Sequence, residues 1–278
     1  MIQKPKPDRL ATVYKSKAIF EEVFIEVKVS QHNDNDYLEQ EGLEKTHNAR
    51  GFMHPMTWPA LEFVEYASQC KFPVMDIGCA YGVATIAALK KKARVFATDI
   101  CRHHLEVLKK RVPLQYRENL TTNHSEFPGE TKYSDEMFEA VLISHLLQYL
   151  SGNQMTEAFV KIYQWLKPGG KLFIVTYSPY HKTLQDYIPH YEEKVKMGVR
   201  WPGYISDKRA YNTAPKQIKE NMPENIHLFN VDVLTRELKA CGFIIEKAEM
   251  FGGEAAGVPK LFVLNGKQMV GVVAKKPG

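Results

Sequence analysis

The sequence predicts an α/β fold built on a parallel sheet, and three observations carry that prediction. Pro73-Val74-Met75-Asp76-Ile77 is a short apolar run that leads into small residues spaced by two, Gly78, Ala80 and Gly82. An alanine-rich amphipathic segment, Val83 to Lys91, follows as a crossover helix. A second apolar run, Arg94-Val95-Phe96-Ala97-Thr98, then ends on the carboxylate of Asp99. Strand, tight loop, helix and parallel strand are the elements this order implies.

A loop passing close to a ligand needs positions without large side chains, and Gly78, Ala80 and Gly82 supply them. The helix after it directs its N-terminal N–H groups at whatever lies over the loop. Asp99, at the tip of the neighbouring strand, is placed to accept both hydroxyls of a ribose. A nucleoside-like ligand is therefore the first expectation. A dinucleotide fingerprint would have its third glycine where this chain has Val83, and here the small residues run at intervals of two and two.

With Asp76 opening the loop, the stretch resembles motif I of the class I S-adenosylmethionine-dependent methyltransferases, and Asp99 resembles their ribose-binding acid. The resemblance implies a Rossmann-like, seven-stranded, mostly parallel sheet with helices on both faces and a final antiparallel strand. It implies S-adenosyl-L-methionine as cofactor, held by Asp76, Gly78, Ala80, Gly82 and Asp99, with Ile100 packing on the adenine. Alanine at position 80 departs from the family's usual glycine and is tolerable where the backbone keeps ordinary dihedrals.

The remaining elements follow in chain order. Residues 1–48 are an appendage, with a possible strand at Val23-Phe24-Ile25-Glu26-Val27-Lys28-Val29 and a polar run in which His32, Asp34 and Asp36 lack a second ligand cluster. Thr57 is placed to cap a helix with Pro59 in its first turn and Leu61, Val64 and Ala67 on one face. Before that helix, the loop around Arg50 lies close in sequence to the cofactor loop. By analogy with the family, Arg50 pairs with the cofactor carboxylate; a surface arginine is the other reading.

A second crossover helix spans Cys101 to Arg111, where adjacent His103 and His104 face different directions and do not form a chelating pair. Leu114 to Leu120 is the expected third strand, which in the resembled family ends beside the adenine, and by that resemblance Asn119 or Asn123 partners the adenine edge. Phe138-Glu139-Ala140-Val141-Leu142-Ile143-Ser144 is a strand apolar enough to be buried on both faces. Ligands bind beyond the carboxyl ends of parallel strands, which brings Ser144 and His145 to the reacting methyl group. His145 is the candidate general base, with a turn-capping histidine as the alternative.

A helix from Met155 to Leu166 precedes Lys167-Pro168-Gly169-Gly170, a turn that stops it and starts the strand Lys171 to Thr176. It resembles the approach to the fifth strand in many class I methyltransferases. Residues 178–227 depart from the core pattern and are expected to form an insertion or lid over the acceptor site, with Tyr180, His181, Tyr187, Trp201 and Tyr204 as candidates. A helix from Asp232 to Cys241 and strands at Phe243–Ala248 and Gln268–Lys275 complete the core, which spans residues 49–177 and 228–278.

The chain has 278 residues, enough for one large domain with additions. Its net charge of +5 is scattered, which disfavours a polynucleotide partner. Four cysteines, Cys70, Cys79, Cys101 and Cys241, show neither metal-ligand spacing nor the density of a disulfide framework. The polar, proline-broken beginning and the lack of a membrane-length apolar run lead us to expect a cytoplasmic protein with no membrane partner. The expected activity is methyl transfer to a small-molecule acceptor. The alternatives are a macromolecular acceptor (tRNA or protein) and a catalytically silent cofactor-binding interaction module.

Overall fold

The computed structural model describes residues 43–53 and 55–278. The expected strand at Val23–Val29, the His32, Asp34 and Asp36 cluster and most of the 1–48 appendage lie outside the described residues. Helix α1 (Trp58–Ala67) leads into strand β1 (Val74–Ile77), helix α2 (Val83–Lys90) and strand β2 (Val95–Asp99). Helix α3 (Arg102–Arg111), strands β3 (Leu120–His124) and β4 (Phe138–Ser144), helix α4 (Gly152–Trp165) and strand β5 (Leu166–Tyr177) follow. After the segment bearing helix α5 (Ile188–Lys196), helix α6 (Val231–Ala240) and strands β6 (Ile244–Phe251) and β7 (Met269–Lys275) complete the chain.

The seven strands lie in the order β6-β7-β5-β4-β1-β2-β3. β1 runs parallel to both β2 and β4, β2 to β3 and β4 to β5, whereas β7 runs antiparallel to β5 and β6. The chain thus builds outward in one direction from β1 through β3, then returns to the other side of β1 with β4. That reversal opens a crevice at the carboxyl ends of β1 and β4.

Alternation along the strands divides the core in two. Val74, Ala140, Leu142 and Phe173 pack with residues of α1, α2 and α3, while Met75, Ile77, Val141, Ile143 and Ile174 pack on the opposite face with α4 and α6. Both faces are covered, which is why β1 and the centre of β4 contain little but apolar residues. Asp76 belongs to the first face, and its carboxylate inside that layer is satisfied by the Thr85 hydroxyl, which donates to Oδ2 at 2.7 Å.

Several local expectations are corrected. The third strand is Leu120–His124, because Pro113 opens a 3₁₀ run, Leu114–Asn119, that buries none of its side chains. Thr57 occupies the N-cap position of α1 without making the capping hydrogen bond, and the helix buries Ala60 and Phe63 along with Val64 and Ala67, leaving Leu61 half-buried. Helix α4 starts earlier than expected, at a capping box in which Ser151 and Gln154 satisfy each other's backbone donors. Lys167-Pro168-Gly169-Gly170 lies within β5, with Gly169 at φ +80°, so the turn is a kink at the strand's beginning.

Residues 178–227 have a small core of their own, in which Leu184, Tyr187, Tyr191, Ile205, Ile226 and Leu228 cluster. A two-residue antiparallel ladder, Tyr204–Ile205 with Ile226–His227, closes this unit. Another short hairpin, Glu44–Lys45 with Phe52–Met53, presents the Thr46–Gly51 loop beside the crevice. It is tied down by the Tyr81 hydroxyl donating to the Lys45 carbonyl at 3.3 Å, by Arg111 on Glu44 at 3.0 Å and by the Asn221 amide on the Gly51 carbonyl.

Candidate active site

At the carboxyl ends of β1, β2 and β4 lies a cavity of about 270 Å³. The glycine loop, the tip of β2, the turn after β4, the Thr46–Gly51 loop and residues 178–227 all contribute to its wall. A smaller cavity of about 70 Å³ shares Gly78, Ala80, Ser144 and His145 with it and extends to Asp76, Thr57 and the first turn of α2.

The loop after β1 is held in left-handed backbone conformations, with φ of +72° at Gly78, +46° at Ala80 and +85° at Gly82. The condition set for alanine at this position, ordinary dihedrals, is therefore not met. A Cβ-bearing residue is kept in that conformation because its N–H donates to Asp99 Oδ2 at 2.9 Å. Gly78 and Ala80 line the main cavity, but Gly82 lines neither cavity. A Cβ at Gly82 would overlap the Leu108 side chain, so glycine is required there by α3 packing and by the left-handed N-cap of α2.

Asp99 is 6% exposed and lines the cavity. Beyond the Ala80 bond, its Oδ1 accepts from the Cys101 N–H at 2.8 Å and pairs with His104 Nδ1 at 3.0 Å. A carboxylate offers about four lone-pair positions, so three protein donors leave room for about one more. The expectation of two ribose hydroxyls on this carboxylate narrows accordingly, unless His104 gives way. His104, five residues along, is 2% exposed and its Nε2 has no hydrogen-bond partner among the described residues. Its partnership with Asp99 was not read from the sequence, although the carboxylate-to-histidine spacing into the first turn of α3 was visible. Ile100, in contrast, is 43% exposed and lines the cavity, an apolar surface next to the carboxylate.

Asn119 ends the 3₁₀ run ahead of β3 and is not among the lining residues; the corrected strand ends five residues later and brings Ser125, Glu126 and Phe127 there instead. The β-branched pair Thr121-Thr122 was the available signal for that shift. Asn123 donates to the Tyr133 hydroxyl at 3.1 Å. Asp76 lines only the smaller cavity, where burial pushes its carboxyl up to about 6, the charge of Asp99 adds to the rise and the Thr85 hydrogen bond opposes it.

Ser144 and His145 line both cavities. His145 takes φ +54°, its N–H donates to the Val175 carbonyl at 2.9 Å, and its own carbonyl accepts from Gln148 Nε2 at 2.7 Å. Its ring lies 4.7 Å from that of Tyr177. Tyr149 and Tyr177 also line the cavity, and burial raises both phenols, Tyr149 to about 12. Arg50 is exposed on the cavity rim, with its N–H donating to Asn48 Oδ1 at 3.2 Å.

Of the five candidates in residues 178–227, His181 alone lines the cavity, joined by Thr183, Lys208 and Asn212, which sequence reasoning missed. Tyr187 is part of the small core, its hydroxyl donating to the Pro202 carbonyl at 2.8 Å; Trp201 packs at Gly152, and Tyr204 is 40% exposed. Burial, with the Lys208 charge, lowers His181 to about 3, so the ring is neutral, and its Nδ1 lies 3.0 Å from Thr183 Oγ1. Among the described residues no histidine, cysteine and carboxylate group is arranged to hold a metal, and no helix is long and apolar enough to cross a membrane.

Residues 74–170 match a family model described as a methyltransferase domain. The chain is 32% identical over 123 residues to a carboxy-S-adenosyl-L-methionine synthase of Shewanella amazonensis, covering 40% of this chain and 47% of that one. It is 30% identical over 149 residues to the synthase of the same name from Hydrogenovibrio crunogenus, covering 49% and 55%. The chain thus spans about half the length of these curated relatives. In structure it is similar to the glycopeptide N-methyltransferase MtfA complexed with S-adenosyl-L-methionine, with a TM-score of 0.52 at 18% identity over 79% of this chain and 87% of the other. That likeness is one of fold, and it agrees with the strand order and with the loop placed at the switch point. The family match thus runs from the first strand to the start of the fifth, and the fold of the whole chain is that of S-adenosylmethionine-dependent methyltransferases.

Proposed function

We propose that this protein is an S-adenosylmethionine-dependent methyltransferase acting on a small molecule. One observation carries the reading: the glycine loop and Asp99 share a single cavity with residues of the 178–227 segment, so donor and acceptor groups would meet in one space. The relatives whose names are built on S-adenosyl-L-methionine point to the same donor.

The residues present suit that cofactor. Asp99 has hydrogen-bonding capacity left for a ribose hydroxyl, Ile100 offers an apolar surface for the adenine, and Ser125 to Phe127 flank the same region. Thr57 Oγ1, buried without a hydrogen-bond partner among the described residues, lines the smaller cavity with Asp76, a polar corner suited to the amino acid end; Arg50 on the rim supplies a cation for its carboxylate. The bound cofactor supplies an electrophilic methyl group on a sulfonium. Because positive charge disappears in the displacement, the chain's work is to align the acceptor and exclude water. Tyr149, Tyr177 and Leu184 add aromatic and apolar surface to the wall. His145, at the tip of β4, takes the proton where the acceptor is a hydroxyl or an amine. The covering by 178–227 favours a small acceptor over a folded macromolecule.

Calorimetry with S-adenosylmethionine tests the donor, and absence of saturable heat contradicts the reading. A tritium-transfer screen over metabolite, tRNA and protein pools tests the acceptor: label in the small-molecule pool is expected. Label in RNA or protein overturns the acceptor class, and label in none of them, with binding intact, favours the silent module.

A further inference from the structure

We propose that Lys208 forms an anion-binding subsite in this cavity, so that the acceptor carries a carboxylate or a phosphate. This deepens the methyltransferase reading and rests on it only for the word acceptor. Lys208 is 3% exposed and lines the cavity, and its Nζ has no hydrogen-bond partner among the described residues. A buried ammonium without a counter-ion is costly, and proteins ordinarily avoid it by pairing or by leaving the charge in water.

The neighbouring chain explains why pairing does not occur. Two carboxylates lie close by, Asp207 in sequence and Glu224, whose carbonyl accepts the Lys208 N–H at 2.8 Å. Both are taken by Arg209, whose guanidinium reaches Asp207 Oδ2 at 2.7 Å and Glu224 Oε1 at 2.7 Å on the surface. Arg209 thus collects the local acids outside while Lys208 turns inward. The lining around this segment carries no other charge: His181 is neutral, Thr183 and Asn212 are polar, and Leu184, Met222 and Ile226 are apolar. Burial brings the Lys208 ammonium down to about 8, which leaves it charged at neutral pH. An anion entering the cavity meets a desolvated cation with no competitor, the condition under which such a pair is strongest. The donor's own carboxylate has Arg50 on the rim. Lys208 is contributed by the segment outside the donor loop, so its anion is assigned to the other reactant.

The test uses the full chain, with and without S-adenosylhomocysteine, and three probes of matched shape: phenylacetate, phenyl phosphate and phenylacetamide. Wild-type protein is expected to bind at least one of the two anions about tenfold or more tighter than the amide, with or without the nucleoside, and which anion wins identifies the group. In Lys208→Met and Lys208→Gln the preference is expected to fall to within about twofold, with S-adenosylmethionine affinity unchanged within about twofold. Lys208→Met is also expected to melt no lower than wild type, since it removes an uncompensated buried charge. No anion preference in the wild type, or a preference that survives both substitutions, overturns the subsite. So does a melting temperature lowered by more than about 5 °C, which would reveal a partner for the ammonium. A preference abolished by S-adenosylhomocysteine, or a tenfold loss of S-adenosylmethionine affinity in the variants, assigns Lys208 to the donor and overturns the acceptor claim. Absence of S-adenosylmethionine binding in the wild type sinks the methyltransferase reading instead, and the probes on unliganded protein still decide the subsite.

Discussion

Replacing Asp99 with asparagine separates the duty this carboxylate shows, holding the loop, from the one we propose for it, holding a ligand. Three donors converge on it: the Ala80 N–H, the Cys101 N–H and His104 Nδ1. Asparagine keeps one oxygen and turns the other acceptor into an NH₂ group, so a donor faces a donor on at least one side. A hydrogen bond to a charged group contributes about 1.5–3 kcal/mol, and a buried donor left unsatisfied costs about 1–3 kcal/mol. His104 relieves part of this by changing tautomer and accepting from the new amide, which places the expected loss of stability at about 2–4 kcal/mol. The ligand loses one charge-assisted hydrogen bond, about 1.5–3 kcal/mol, or roughly 10- to 100-fold in affinity for S-adenosylmethionine. Denaturant unfolding reads the first quantity, and calorimetry at a temperature where the variant stays folded reads the second. A folded Asp99→Asn protein that binds S-adenosylmethionine within twofold of wild type refutes both the ribose assignment and the reading of the cavity built on it.

The other expectations concern the loop and the pH response. Gly82→Ala places a side chain at φ +85° against Leu108, so a loss of about 2–4 kcal/mol in denaturant unfolding is expected, while Gly129→Ala, with open space around it, is expected to stay within about 0.5 kcal/mol. Ala80→Gly relieves the left-handed strain at a similar entropic cost and is expected to keep both stability within about 1 kcal/mol and S-adenosylmethionine binding; Ala80→Val, β-branched at φ +46° and lining both cavities, is expected to weaken binding more than tenfold by calorimetry. His181 is held neutral in the fold at about 3 against an ordinary 6.5, so the unfolded chain binds more protons between those values and stability falls as pH drops through that window. From pH 7 to pH 5 the loss is about 2 kcal/mol, and His181→Asn is expected to lack that part of the wild-type slope in unfolding curves measured at both pH values.

Elements whose physics is local were legible in the sequence. Val74 to Ile77 and Phe138 to Ile143 are buried on both faces, so their apolar runs announced strands without help from the rest of the fold. The left-handed turns after β1 required small residues at fixed intervals, and Asp99 had to stand at a strand tip to reach the Ala80 N–H. The third strand was misplaced because it lies at the sheet edge and carries Thr121, Thr122 and Asn123 in place of an apolar run, while the preceding Leu114-Gln115-Tyr116 has strand-like composition but is held in a 3₁₀ run by Pro113. Tyr187 illustrates the opposite error. An aromatic residue in an irregular segment invited a functional role, whereas its ring fills the small core of that segment.

The same distinction explains why half of the cavity could be read and half could not. The side we assign to the donor is built from Gly78, Ala80, Asp99 and Ile100, a span of little more than twenty residues whose constraints are those of backbone geometry, and geometry restricts residue type severely. Its other side assembles Tyr149, Tyr177, Lys208 and Asn212 from distant parts of the chain. Each of these residue types is common on any protein surface, and nothing in the local sequence of Lys208 distinguishes it from the Arg209 that follows. What separates the two is a choice made in three dimensions, in which one cation takes both nearby carboxylates and the other is left facing inward. The signal that marks a binding residue here is therefore an electrostatic deficit, visible only once burial and partners are both known. It also indicates where specificity can change at low structural cost: at the left-handed positions of the loop only glycine or a small residue is accommodated, whereas a substitution at Lys208 removes a buried charge and is expected to leave the fold intact.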